Sequence, residues 1–172
     1  GGPALVNGVT TIDVADDASL TLHRVQSEHD RTIHFGATTC RLGASAKLAS
    51  VSIATGADVA RTALDVVLAG DDAEATLDGL YLPHDTQHHD NVITVQHAAA
   101  RGRSHQRFRG IIDDQGRGSF TGHIIVDADT AGNDAVQSNH SLLLTSRAES
   151  DSRPWLEILA DDVQCNHGAT VG

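Results

Sequence analysis

The residues with the most chemistry in this 172-residue chain stand near its C-terminal end, where Cys165 and His167 are separated by a single asparagine. They follow an alternating apolar run, Trp155-Leu156-Glu157-Ile158-Leu159. On an extended strand the side chains of residues i and i+2 share a face, so the thiol and the imidazole project together. A thiolate beside an imidazole suits a soft or borderline metal. Zinc and iron–sulfur clusters want about four ligands, so this pair must borrow the remainder, and a partner subunit is the obvious lender. An imidazolium next to Cys165 is also expected to lower the thiol pKa and so favour the reactive thiolate.

Other candidate groups are less ordered in spacing. His84, Asp85, His88, His89 and Asp90, with His97 and His105 beyond, resemble a metal site in composition. Pro83 and the strand-like segments around them place the stretch in a loop, where i,i+4 spacing carries little meaning. Cys40 has no His or Cys near it and reads as a small buried or surface thiol. Asp161 and Asp162 either raise the pKa of His167 or form a solvated turn, and the turn is the simpler expectation. Arg107-Phe108-Arg109-Gly110 is the best local basic patch, suited to tying carboxylates between neighbouring segments or to holding an anion. The sequence contains no Gly-x-Ser-x-Gly elbow and no Gly-x-x-x-x-Gly-Lys-Ser/Thr loop. Neither serine hydrolysis nor nucleotide hydrolysis is therefore expected of this chain.

The elements that position these residues follow from composition and pattern. Aromatic residues make up only 3% and methionine is absent, so the core is built from Val, Ile, Leu and Ala, which suits a β-rich fold more than a helix bundle. The formal net charge of −11 argues against phosphate-backbone binding, and nucleic acid is not expected as a partner. No run approaches the roughly 18 apolar residues of a membrane span, and Gly1-Gly2-Pro3-Ala4 opens no secretory signal pattern, so a cytoplasmic protein without membrane contact is expected. Cys40 and Cys165 lie too far apart to form a disulfide framework and read as free thiols.

Short alternating segments recur about every 13 to 18 residues, with wider gaps before Ile93 and Leu142. They are Leu20–Leu22, Ile33–Phe35, Ala49–Ile53, Leu64–Leu68, Ile93–Val95, Phe108–Ile112, Phe120–Val126, Leu142–Leu144 and Leu156–Ile158. Gly, Asp and Asn punctuate them, and no amphipathic helix pattern competes. Even spacing of short strands fits a sandwich, a barrel or a β-solenoid. Scarce two-residue hairpin signals, Asn7-Gly8 being the one candidate, favour the solenoid, in which each coil buries its apolar face against its neighbours. One domain over residues 1–172 is expected.

The C-terminal segment also carries a family resemblance. Leu156-Glu157-Ile158, Ala160-Asp161-Asp162-Val163 and Cys165-x-His167-Gly168-Ala169-Thr170 resemble the signature of the SufB/SufD family of the SUF iron–sulfur cluster assembly system. Further stretches match it in the same order: Gly79-Leu80-Tyr81, Asp90 to His97, Ser104 to Gly110, Phe120-x-Gly122, and Gln137-x-Asn139 with Leu142-Leu143-Leu144. The resemblance covers roughly residues 75 to 172. Gly168, where a His-Glu-Ala-Thr sequence is expected in SufB, points to the SufD branch. One departure is that the Pro-x-Cys expected before Ser104 reads Arg101-Gly102-Arg103, which leaves that loop without a thiol.

The resemblance implies an all-β, right-handed parallel β-helix whose core pairs with SufB, with the Cys165–His167 strand close to the junction. It implies a non-enzymatic scaffold that helps iron enter and a nascent cluster form at the shared interface. His167 would be a ligand or proton acceptor, and Cys165 a ligand or sulfur-accepting thiolate. Sulfur would arrive from a desulfurase by way of SufB, and rearrangement would be driven by the SufC ATPase. The family's flanking N-terminal and C-terminal helical regions, the latter docking SufC, are expected to lie outside this stretch. Iron or a cluster is expected only transiently, no cofactor tightly, with flavin conceivable in the full complex and a homodimer in isolation. Within the histidine-rich stretch, the resemblance assigns His89, Asp90 and His97 to packing and hydrogen bonding. A carbohydrate-active β-helix, lyase or hydrolase, and a metal-free interaction module are the competing readings.

Overall fold

A computed structural model describes residues 2–172 and places twelve strands along the chain. They are β1 (Ala4–Val14), β2 (Ser19–Gln26), β3 (Thr32–Leu42), β4 (Lys47–Ala54), β5 (Val59–Leu68), β6 (Glu74–Tyr81), β7 (His88–His97), β8 (Arg103–Ile112), β9 (Arg117–Val126), β10 (Asp134–Leu143), β11 (Glu149–Ile158) and β12 (Gln164–Val171). Odd-numbered strands form one six-stranded sheet in the order β1-β3-β5-β7-β9-β11, and even-numbered strands form the other, β12-β10-β8-β6-β4-β2. Every pairing is parallel. The chain therefore winds through one strand of each sheet per turn, making a β-solenoid of six rungs as the patterning predicts. The described residues include no helix, and hence none long and apolar enough to cross a membrane.

Why the chain turns where it does is visible at the corner that joins each odd strand to the next. Asp17, Ser45, Asp72, Arg101, Gly132 and Asp162 occupy this corner in successive rungs, all with φ between 55° and 75°. Short polar side chains and glycine tolerate this left-handed conformation best. Their amides form a ladder along the axis: Asp17 N–H donates to Ala44 O (2.8 Å), Ser45 to Asp71 (2.8 Å), Asp72 to Ala100 (3.0 Å), Arg101 to Ala131 (3.0 Å) and Gly132 to Asp162 (2.9 Å). Asp161 and Asp162 thus belong to a turn, as expected.

Strict alternation sends every second side chain inward, where identical positions stack from rung to rung. The first rungs fill the interior with Leu42, Leu68, Leu77 and Ile93, all buried. Further along, Ser104, Gln106, Gln137, Asn139 and Ser141 are buried beside Ile112, Ile124 and Val126. Tyr81, Phe108 and Phe120 are buried among them, the two phenylalanine rings 4.9 Å apart. Each large ring occupies space surrendered by a glycine. A methyl group at Gly79 would overlap the Phe108 ring, and one at Gly110 would overlap Tyr81. The Tyr81 hydroxyl reaches both Asn139 Oδ1 and Ser141 Oγ at 3.0 Å. Gly79, Tyr81, Phe108, Gly110 and Asn139, scattered through the motif segments, are thus parts of one interlocked layer.

Two strands, β1 and β6, lie outside the segments expected from sequence. β1 has ten of its eleven residues at least partly exposed, so little apolar alternation marks it. β6 places Ala75, Leu77, Gly79 and Tyr81 inward, and the glycine breaks the apolar pattern. Asn7-Gly8 makes no hairpin: both residues lie within β1, paired in parallel with Phe35 and Gly36 of β3. Inserting a methyl group at the layer should be costly. Gly79→Ala is expected to lower stability by about 1–3 kcal/mol through overpacking, with partial recovery in the Gly79→Ala/Phe108→Leu double variant. Denaturant midpoints followed by circular dichroism will check both, and additive losses would refute the interlock.

Candidate functional site

Cys165 and His167 share the inward-facing side of β12, the final strand of its sheet, as their i,i+2 spacing predicts. The register sets Cys165 beside Ala135 and His167 beside Gln137. Both are interior positions: the column Leu22, Ser50, Leu77, Gln106 and Gln137 ends in His167. Among the described residues no further rung covers β12, so a side chain aimed inward here still meets the exterior. His167 is exposed, whereas Cys165 is half-buried against a small apolar cluster of Ile124, Val126, Ala135, Leu156, Ala160 and Val163. The outer edges of β11 and β12 carry unpaired backbone groups, which invite pairing with another chain.

The electrostatics around Cys165 differ from the sequence expectation of a thiol acidified by its imidazole neighbour. Burial pushes the Cys165 thiol up from its ordinary value, and the negative charge of Asp134 pushes it further. Cys165 is thus a thiol at neutral pH until a metal or another positive charge arrives to favour the thiolate. Cys40, fully buried on β3, is pushed up to about 11 by burial and then by Asp13. Both cysteines are free.

The histidine-rich stretch spans the corner before β7 and the strand itself. His89 is buried, with Nε2 3.0 Å from the Gly56 carbonyl. Asp90 accepts from Ser119 Oγ (2.6 Å) and pairs with Arg61. His97 is buried between Asn133 Oδ1 (3.1 Å) and Ser104 Oγ (2.8 Å). Asn133 Oδ1 also accepts from Gly102 N–H at 2.7 Å, so His97 Nδ1 must carry the proton and Nε2 accept from Ser104. These are the packing and hydrogen-bonding roles anticipated for His89, Asp90 and His97. Among the described residues no three His, Cys, Asp or Glu side chains converge to hold a metal ion. Cys165 and His167 accordingly supply two donors, short of a complete set.

The basic patch resolves into ties between rungs. Arg107 donates to both carboxylate oxygens of Asp78, at 2.7 and 2.9 Å, while Arg109 donates to the Phe108 carbonyl. Arg101, standing where a cysteine-bearing loop was expected, binds Asp71 and Asp72 instead. A groove of about 730 Å³ lies on the outer face of the odd-strand sheet, away from the inward face that carries Cys165 and His167. Its three arginines are each committed to a carboxylate, Arg61 to Asp90, Arg117 to Glu149 and Arg153 to Asp151. On the same outer face Trp155 stacks on His123, with centroids 4.3 Å apart and planes at 12°. Glu157 Oε2 lies 3.5 Å from His123 Nε2, within ion-pair reach but without hydrogen-bond alignment. Neither this pair nor the buried Gln106–Gln137 contact was identified from sequence as part of a site, although both lie close to the last rung.

Fold and site together define a parallel β-solenoid in which β12, paired on one side only among the described residues, presents a thiol and an imidazole on one face. The family described as SUF system FeS cluster assembly, SufBD core domain, matches residues 1–172. Over 162 residues the chain is 33% identical to the iron-sulfur cluster assembly protein SufD of Escherichia coli, covering 94% of this chain and 38% of that protein. It is 31% identical over 180 residues to an iron-sulfur cluster assembly SufBD family protein of Mycobacterium tuberculosis, covering 100% of this chain and 45% of that one. It is also 30% identical over 168 residues to the chloroplastic protein ABCI7 of Arabidopsis thaliana, with 96% and 35% covered. The chain belongs to the SufBD family, and its resemblance to SufD holds over nearly its whole length. It spans less than half the length of these relatives. Family membership also weighs against the carbohydrate-active reading.

Two measurable consequences follow from the environments described. At pH 7 under reducing conditions, Cys165 should alkylate more slowly than a free model thiol and accelerate as pH rises, while Cys40 should react only after denaturation. Mass spectrometry of iodoacetamide-treated protein will show this, and rapid modification of Cys165 at pH 7 would contradict a protonated thiol. The second consequence concerns acid. Burial, reinforced by His84 and His88 and opposed by the Gly56 hydrogen bond, pushes His89 down from 6.5 to about 4. Above pH 6.5 the ring is neutral in folded and unfolded chains alike. Between pH 6.5 and about 4 the unfolded chain takes up a proton that the folded chain refuses, so stability falls as pH falls, by on the order of 3 kcal/mol. Burial shifts His97 in the same direction. His89→Gln should flatten this acid limb in urea melts, and an unchanged slope would show that His89 does not cause it.

Proposed function

We propose that this chain is the core of a cytoplasmic, SufD-like, non-catalytic subunit that helps build iron–sulfur clusters. Its open last rung pairs with a SufB-like paralogue, and iron and the nascent cluster are cargo held transiently at that junction. The observation that supports this best is the common inward face of Cys165 and His167 on a strand whose outer edge is unpaired among the described residues. Two donors on one protomer match a site whose other donors come from across an interface. His167 acts as ligand or proton acceptor. Cys165 acts as ligand, becoming a thiolate when the metal's charge offsets the burial and Asp134 effects that keep it protonated. Sulfur enters through the SufB-like partner, and a SufC-like ATPase supplies the driving rearrangement.

The test is anaerobic reconstitution of the complete complex with iron, a sulfur source and ATP, followed by visible absorption. Cys165→Ala/His167→Ala in the full-length subunit should slow cluster formation at least tenfold, with complex assembly intact by gel filtration. Cluster formation at the unmodified rate would refute the proposal and leave a metal-free interaction module as the reading. Iron(II) titration of the same complexes separates these two directly, since a metal-free module predicts identical binding by both.

A further inference from the structure

The interior column that ends in His167 has a polar base. Gln106 and Gln137 occupy successive rungs there, both buried, and Gln137 Nε2 donates to Gln106 Oε1 at 3.1 Å. That bond ties the amide nitrogen of Gln137 to the preceding rung and uses none of the accepting capacity of its oxygen. Gln137 Oε1 is buried and, like Gln106 Nε2 at the other end of the pair, has no hydrogen-bond partner among the described residues. A buried carbonyl oxygen left unpaired costs about 1–3 kcal/mol, so an arrangement that holds one in place calls for a donor. The next residue in the column is His167, on the adjacent strand and the same face.

The space around Gln137 is shaped for that amide. Gly122 on β9 lies directly across the interior, and a methyl group there would overlap the Gln137 carboxamide. Neighbouring positions under β12 offer no competing acceptor. Cys165 lies beside Ala135, which has none. Ala169 lies beside Asn139, whose Oδ1 accepts from Tyr81 and whose Nδ2 donates to Ser152 at 3.2 Å.

We infer that Gln137 is a positioning residue for His167: its Oε1 accepts the imidazole N–H, fixing one tautomer and directing the other ring nitrogen, with its lone pair, toward the open end. Neutral imidazole has one donor and one acceptor nitrogen, so a hydrogen bond to one decides what the other offers. Metal-binding histidines are commonly oriented in this way by an acceptor behind them. Gly122 belongs to the same device, since it clears the room in which the amide stands. The bearing of this bond on iron rests on the function proposed above, whereas the bond itself does not.

The experiment uses the full-length protein, free of iron, with ring-15N histidine, the His167 signals being assigned by their loss in His167→Gln. Wild-type His167 should show one dominant neutral tautomer. Gln137→Met, similar in size but without an acceptor, should lose that preference, and Gln137→Glu, which keeps an acceptor and removes the donor, should retain it. A mixed tautomer in the wild type overturns the inference without any variant, as does an unchanged preference in Gln137→Met or its loss in Gln137→Glu. In the reconstituted complex Gln137→Met should weaken iron(II) retention about 10- to 100-fold. Since the tautomer is read without metal, a His167→Ala complex that assembles clusters normally would overturn the proposed function and leave the tautomer result standing.

Discussion

Each rung of this solenoid can satisfy its backbone only through the rung before it and the rung after it. The parallel register from Ala4 to Val171 and the amide ladder along the Asp17–Asp162 corner are both consequences of that rule. So is the condition of β12, which among the described residues is paired on one side only. An edge of this kind normally has to be capped, charged or paired, because unpaired amides recruit other chains. Here it coincides with the two donor side chains. Under the proposed function, placing these donors at an edge rather than in the packed middle would let a second protein complete their coordination.

The interior carries both kinds of residue. Leucine and isoleucine share the early rungs with Gln26, Thr38, Ser50 and Thr62, and from β6 onward glycine-backed aromatic rings and the amides of Gln106, Gln137 and Asn139 lie beside Ile112, Ile124 and Val126. Buried amides are costly unless paired, and these are paired largely with each other and with Tyr81. Polar groups therefore reach the last rung from beneath, so His167 stands on an amide rather than on hydrocarbon. Across the outer faces, Arg61–Asp90, Arg107–Asp78 and Arg117–Glu149 pairs connect adjacent rungs. Each exposed pair contributes little alone, roughly 0–1 kcal/mol, but like charges in those columns would repel along the whole axis.

Much of this was legible in the residues. Alternation in Leu64–Leu68, Phe120–Val126 and similar runs named the strands, and Gly, Asp and Asn marked the corners. Cys165 and His167 were placed on one face by spacing alone. What pattern reading could not supply was the meaning of glycine inside a strand: Gly79 interrupts the alternation of β6 because Phe108 needs its space, a partner 29 residues away. The exposed β1 was missed because its residues lack a buried face to reveal them. The state of Cys165 was misjudged for a related reason. Sequence proximity suggested an acidifying imidazole, whereas the fold buries the sulfur and sets Asp134 near it. The Gln106–Gln137 contact was not identified from the sequence, since the pairing and its orphaned oxygen exist only in three dimensions.

The stacked indole of Trp155 has an optical consequence. It is the sole tryptophan in the sequence and lies on β11, so the tryptophan emission of this chain, unlike that of Tyr81, originates from the last of the described rungs. Linear arrays can fray from either terminus because neighbouring units are coupled only locally. Melting that begins around β1 would be dark to fluorescence, while loosening near β11 would be bright even with most of the coil intact, so the two ends of one protein have different visibility.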